Sequence, residues 1–162
     1  HITSVAGIGE TKAIVLMAAF ELGKRFMEES VREEAAIYNS IGAATLMRPV
    51  LAPLDHEECW VIYLNRANRI IARECISKGG TSTAAIDIKR VVKKSVELLA
   101  SGIILFHNHP SGSCKPSNVD CRYTASLKDA LKLLEIDLID HIIVGGGEFY
   151  SFSDSGSTPW PS

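Results

Sequence analysis

Gly102-Ile103-Ile104-Leu105-Phe106-His107-Asn108-His109-Pro110 is the stretch on which the fold turns. A continuous apolar run over residues 102–106, followed by a loop rich in proline, glycine and serine, predicts a central strand buried on both faces of a sheet. Side chains alternate along an extended backbone, so His107 and His109, two positions apart, point the same way where that strand ends. The carboxyl end of a buried strand, where it opens into a loop, is where α/β sheets carry their sites.

The neighbouring sequence agrees with such a sheet. Downstream, the loop 110–116 leads to a helix predicted over 117–134, with Tyr123, Leu127, Ala130, Leu131 and Leu134 inward. Residues 139–144 and 148–152, separated by three glycines, predict a hairpin. Upstream, residues 87–100 give the clearest helix, with Ile88, Val91, Val92, Val96, Leu98 and Leu99 on a broad apolar face and Lys89, Arg90, Lys93 and Lys94 outside it. Residues 60–64 and 70–76, joined by Asn65-Arg66-Ala67-Asn68, predict an antiparallel hairpin that Lys78-Gly79-Gly80 breaks. Ser40 caps a short predicted helix reaching about Met47, with Pro49 and Pro53 opposing a long continuation. Strands alternating with helices predict an α/β domain, a mixed β-sheet flanked by helices. Before it, Gly7-Ile8-Gly9 leads into a helix with Ile14, Met17, Ala18, Phe20 and Leu22 at helical spacing, and 28–34 is a charged helix end or linker. The expected organisation is a short N-terminal helical segment over 1–34, a main domain over 35–153 and a loose, polar tail over 154–162.

Composition narrows the function classes. The chain has 162 residues, 46% of them apolar and 22% charged, which is enough to build a core. A net charge of -2 provides no global positive field for nucleic acid or anionic membrane. No apolar run approaches a membrane-spanning length, and the N-terminus shows no basic-then-apolar leader. Cys59, Cys75, Cys114 and Cys121 lack paired C-x-x-C spacing and read as reduced, cytoplasmic packing thiols rather than a disulfide framework. The chain opens at His1 without an initiator Met and reads as a fragment of a longer protein.

Two histidines followed by Asp120, at the start of the next helix, make the ligand set of a catalytic zinc site with an open fourth position. Zinc lowers the pKa of a bound water to about 7 and so makes a nucleophile at neutral pH. A carboxylate must then take the proton. Glu57 and Glu58, at the entry to the 60–64 strand, are the candidates; Glu74 and Glu97 fit exposed faces. Ser117 offers a hydroxyl to a developing oxyanion. Ser117-Asn118-Val119-Asp120 also reads as a helix start, with serine as N-cap and an acid at N3. That reading explains Ser117 and Asp120 without a metal, but leaves two histidines ending an apolar strand unexplained, and the two readings can coexist. His141 reads as a structural hydrogen-bonding residue and His56 as part of a solvated turn. The glycine turn at 7–9 could hold a phosphate on a helix N-terminus, as in the second half of a DNA-binding helix-hairpin-helix. Local charge opposes this: Lys12, Lys24 and Arg25 stand against Glu10, Glu21, Glu28 and Glu29.

A glutamate, then H-x-H-P, seven intervening residues and S-x-x-D resembles the signature of JAMM-type (JAB/MPN) metalloproteases, here Glu57, His107, His109, Ser117 and Asp120. The wording Leu105-Phe106-His107-Asn108-His109-Pro110-Ser111-Gly112, with Pro116-Ser117 and Asp140-His141-Ile142-Ile143-Val144, resembles the RadC family within that group. Gly7-Ile8-Gly9, Lys12-Ala13 and Glu21-Leu22-Gly23-Lys24-Arg25 resemble the end of that family's N-terminal helix-hairpin-helix region. Asn108 stands where the eukaryotic deubiquitinating members carry Ser or Thr, and Asn is the RadC-like residue.

The resemblance implies a fold close to that of the cytidine deaminases and a zinc-dependent hydrolase, a metallopeptidase or isopeptidase that cleaves an amide bond in a peptide or protein substrate. It implies His107, His109 and Asp120 as Zn2+ ligands, Glu57 as general base and Ser117 as oxyanion donor. The alternative is a DNA-repair accessory that binds DNA, with the metal site structural or inactive. A zinc deaminase would need H-x-E and a later P-C-x-x-C, and the sequence has neither.

Overall fold

The apolar run at 102–106 becomes a strand whose seven residues are all buried, in a computed structural model that describes residues 9–34, 36–79 and 87–156. The elements in chain order are α1 (Glu10–Glu34), α2 (Ser40–Leu51), β1 (Glu58–Leu64), β2 (Ile70–Lys78), α3 (Ile88–Glu97), β3 (Gly102–Asn108), α4 (Asn118–Lys132), β4 (Asp137–Val144) and β5 (Phe149–Ser151). The chain divides after Ala35 into two compact units, the first of which contains α1. Ile14, Met17, Phe20 and Leu22 of α1 are exposed. Gly7-Ile8 of the glycine turn and residues 157–162 of the expected tail lie outside the described residues. Among the described residues, no helix is long and apolar enough to cross a membrane.

The second unit is a mixed five-stranded sheet, in the order β2-β1-β3-β4-β5. β3 lies at its centre, antiparallel to β1 and parallel to β4; β2 pairs antiparallel along the whole of β1, and β5 adds a short antiparallel pairing to β4. A parallel neighbour requires a crossover, and α4 supplies it between β3 and β4. Alternation along β1 and β3 splits the core in two. Cys59, Val61, Tyr63, Ile103 and Leu105 meet Val91 of α3 and Tyr123, Leu127 and Leu131 of α4. Ile62, Leu64, Ile104 and Phe106 meet Ala43, Ala44, Met47 and Leu51 of α2 on the other face. His107 continues the first series and Asn108 the second.

Two expected boundaries are corrected: the helix expected over 87–100 ends at Glu97, leaving Leu99 exposed beyond it, and the end of α2 lies further on than expected. α2 does not stop near Met47 but runs to Leu51 with Pro49 inside it, and its N-cap is Asn39, whose side chain accepts from Gly42 N–H. Pro49 forfeits one helical hydrogen bond and costs about 3 kcal/mol or more. Leu51, beyond the proline, is fully buried, and at roughly 1.5–3 kcal/mol its burial offsets much of that loss. The expected loose tail is also ordered at its start: residues 152–156 form a turn, with Ser153 N–H donating to Asp140 Oδ1 and Ser151 Oγ donating to Asp140 Oδ2. Ser40 Oγ hydrogen-bonds Asp154.

The loop after β3 is pinned to the β4–β5 turn by close backbone approach. His109 N–H donates to Val144 O and Gly146 N–H to Gly112 O, both at 3.0 Å. A Cβ on Gly145 would stand 2.5 Å from both Gly112 O and Cys114 Sγ. Backbone cannot yield as a flexible side chain can, so Gly145→Ala is expected to lower stability by about 1–3 kcal/mol. Urea unfolding read by circular dichroism measures this, and an unchanged midpoint would contradict the close approach.

Candidate metal centre

Two elements, β3 with the loop that follows it and α4, bring the site together. Buried His107 is the penultimate residue of β3, and His109 lies just past its end, its side chain 15% exposed. α4 begins with Ser117 as N-cap in a capping box. Ser117 Oγ accepts from Asp120 N–H at 3.2 Å, and Ser117 N–H donates to Asp120 Oδ2 at 2.7 Å. The box turns the Asp120 carboxylate back toward the strand end, so the residues that cap the helix also place a carboxylate beside the two histidines. Nε2 of His107 and Nε2 of His109 lie 2.9 Å apart; Asp120 Oδ1 is 3.5 Å from the first and Oδ2 is 3.6 Å from the second.

Three electron-rich donors this close repel one another unless a proton or a metal ion is shared among them. Burial pushes the His107 imidazole down to about 4, so it is neutral and able to ligate at ordinary pH. The hydrogen bond to Asp120 raises the His109 pKa above its usual value; burial opposes this, and the Ser113 carbonyl and Glu57 charge add to the rise. The donor set fits zinc in number and spacing. Tetrahedral ligand atoms about 2.0–2.1 Å from an ion stand about 3.3 Å apart. The three observed separations bracket that value. His109 Nδ1–H donates to Ser113 O at 2.7 Å, which leaves Nε2 to face the group. His107, His109 and Asp120 therefore form a group that could hold a metal ion.

A model of the RadC-like JAB domain matches residues 37–157. The chain belongs to the RadC-like JAB domain family. It is 41% identical over 150 residues to a UPF0758 protein of Flavobacterium johnsoniae, covering 93% of this chain and 66% of that protein. It is 40% identical over 154 residues to a UPF0758 protein of Porphyromonas gingivalis, with 94% and 68% covered. A UPF0758 protein of Photobacterium profundum is 37% identical over 150 residues, with 93% and 67% covered. The chain thus spans about two thirds of the length of the curated relatives it matches.

Within this RadC-like domain the four candidate carboxylates separate clearly. Cys59 pairs with His107 across β1 and β3, and Glu57 immediately precedes β1, two residues before Cys59. Its charge contributes to the raised pKa of His109. Glu58 belongs to the opposite series and is committed elsewhere: its carboxylate accepts from Trp60 Nε1 at 2.8 Å and lies 3.1 Å from His56 Nε2 and 3.5 Å from Lys78 Nζ. Burial alone would push the Glu58 carboxyl up, but Trp60, His56 and Lys78 outweigh it and hold it below the usual range. Glu74 pairs with Arg90 and Glu97 with Lys93 and Lys94. His56 is bound to Asp55 and Glu58. Cys114 and Cys121 are free and half-buried, and neither is in the ligand group.

Two residues contribute more than their sequence suggests. Asn108, between the two histidines, points to the other face and clasps the backbone on both sides of Glu57. Its Oδ1 accepts from Glu58 N–H and its Nδ2 donates to His56 O, both at 2.8 Å. Asn108→Ala leaves both groups without that partner and is expected to cost about 2–3 kcal/mol in urea unfolding; a loss below about 0.5 kcal/mol would show that the clasp carries no energy. His141, read from sequence as structural, stands directly behind His107, its Nε2 2.7 Å from His107 Nδ1. Burial drives its pKa well below the usual value. The available signal was Asp140-His141 interrupting an otherwise apolar strand.

Proposed function

We propose that this chain is a zinc-dependent hydrolase that cleaves an amide bond in a peptide or protein. The observation that supports this most is the convergence of two imidazole nitrogens and a carboxylate at the buried end of the central strand, with the charge of Glu57 acting on His109. His107, His109 and Asp120 would hold the ion, which supplies a water of lowered pKa and polarises the amide carbonyl. Glu57 serves as general base, accepting a proton from the attacking water and returning it to the leaving nitrogen. Asn108 fixes the peptide units that flank Glu57, and so the backbone from which the Glu57 side chain extends. Ser117 is the oxyanion donor. Its hydroxyl here donates to Asp120 Oδ2 at 2.7 Å, and rotation about its Cα–Cβ and Cβ–Oγ bonds redirects the proton while its backbone N–H keeps Asp120 in place. The burial of His107 and Asp120 keeps bulk water from competing with these hydrogen bonds.

The test uses protein purified without chelator, assayed for zinc content and for hydrolysis of a fluorogenic peptide library before chelation, after chelation, and after return of Zn2+. The proposal expects near-stoichiometric zinc, loss of hydrolysis on chelation and recovery on return of the ion. A chain that retains no zinc, or whose hydrolysis is indifferent to chelation, overturns it.

A further inference from the structure

We infer that Thr124 and His141 form a one-way hydrogen-bond relay that sets which ring nitrogen of His107 carries its proton, and so present the other nitrogen's lone pair to a metal. This deepens the zinc reading above and rests on it for its consequence, although the relay itself is a property of the metal-free chain.

The direction is fixed at one end by an atom that can only accept. Thr124 Oγ1 lies 2.5 Å from the backbone carbonyl of Asp120. Two oxygens so close hold a proton between them, and only the hydroxyl can provide it. Thr124 then has only lone pairs left for His141 Nδ1, 2.6 Å away, so that nitrogen carries a hydrogen and donates. His141 is fully buried, and a neutral imidazole has a single N–H. Its Nε2 is therefore an acceptor and faces His107 Nδ1 at 2.7 Å, which must donate. The remaining nitrogen of His107, Nε2, is left with its lone pair, directed at His109 Nε2 and Asp120 Oδ1.

Each link comes from a different element: α4 provides Thr124, β4 His141 and β3 His107. The circuit closes on itself, because the carbonyl that sets its direction belongs to Asp120, whose carboxylate is another of the candidate ligands. The His141 ring is also held against rotation. Phe152 stacks on it with ring centroids 4.8 Å apart and planes 1° from parallel. The turn bearing Phe152 is fastened to Asp140 through Ser151 and Ser153, and Phe152 N–H donates to His141 O at 3.1 Å. Thr124 and His141 are thus positioning residues. In water a histidine side chain favours the proton on Nε2, the arrangement that would block ligation; the relay imposes the opposite one.

Thr124→Val and Thr124→Ser separate the relay from packing, since Val keeps the volume without the hydroxyl and Ser keeps the hydroxyl. The first readout is the tautomer of His107 in metal-free protein, from long-range proton–nitrogen NMR of the imidazoles. The second is Zn2+ affinity by competition with a chromophoric chelator. Wild type and T124S are expected to show the His107 proton on Nδ1. T124V is expected to move it toward Nε2 and to weaken Zn2+ binding about 10–100-fold. His141→Gln gives a second variant, because its amide oxygen can accept from His107 while its NH2 donates to Thr124; it is expected to keep the Nδ1–H tautomer. Wild-type His107 protonated on Nε2, T124V unchanged in both readouts, or T124S as impaired as T124V would each overturn the relay. If T124V does not fold, H141Q decides: retention supports the relay and loss of the tautomer overturns it. Failure of wild type to bind Zn2+ overturns the zinc reading alone, and the metal-free tautomers still judge the relay.

Discussion

The His107→Ala variant is expected to retain no zinc after dialysis under conditions in which the wild type retains close to one ion per chain. His107 is one of three donors, so its loss leaves His109 and Asp120 alone with an ion that takes three protein ligands in catalytic sites. Removing a hydrogen-bond partner behind a ligand already costs about 10–100-fold in metal affinity, and removing the ligand itself exceeds that. Alanine also leaves a cavity at a fully buried position and strips His141 Nε2 of its donor. The metal-free variant should therefore lose about 2–4 kcal/mol of stability. Elemental analysis of the dialysed protein reads the first effect and urea unfolding the second. Zinc retained at the wild-type level by a folded variant would mean that the ion is held elsewhere.

Glu57→Gln is expected to do the opposite: to keep the zinc and stop the reaction. The side chain is not in the ligand group, and glutamine preserves its size while removing its basicity. Loss of a positioned general base lowers turnover by about 10²–10⁴-fold. Glu58→Gln makes the informative comparison. Its carboxylate is tied to Trp60, His56 and Lys78 on the other face, so neutralising it should change stability rather than turnover. Equal loss of peptide hydrolysis in both variants would contradict the assignment of Glu57 as base. Turnover at the wild-type level in E57Q would contradict it outright.

The legible parts of this protein are those set by local pattern. The run at 102–106 announced a doubly buried strand, and the 88–97 helix, the β1–β2 hairpin and the capping box at Ser117 follow from short-range periodicity and capping chemistry. The spacing of His107, His109, Ser117 and Asp120 was readable for the same reason, since one strand and one helix start carry all four. The rest depends on contacts distant in sequence. His141 reaches His107 through the parallel register that pairs Leu105 with His141, and nothing local sets that register. Asn108 reaches His56 and Glu58, fifty or more residues away in sequence, and nothing local to the motif identifies those partners. Pro49 misled because its local cost was visible and the compensating burial of Leu51 was not. The sequence left Glu57 and Glu58 open because one residue of slip exchanges them, and the partners of Glu58, Trp60, His56 and Lys78, come into view only in the folded chain.

X-ray absorption at the zinc edge of the purified protein tests the central claim most directly. A site made by His107, His109 and Asp120 predicts about four nitrogen and oxygen ligands near 2.0–2.1 Å, with outer scattering from two imidazoles and no sulfur. A sulfur shell near 2.3 Å would place the ion on cysteines, and a spectrum without imidazole scattering would remove the histidines from the site; either result would contradict the account.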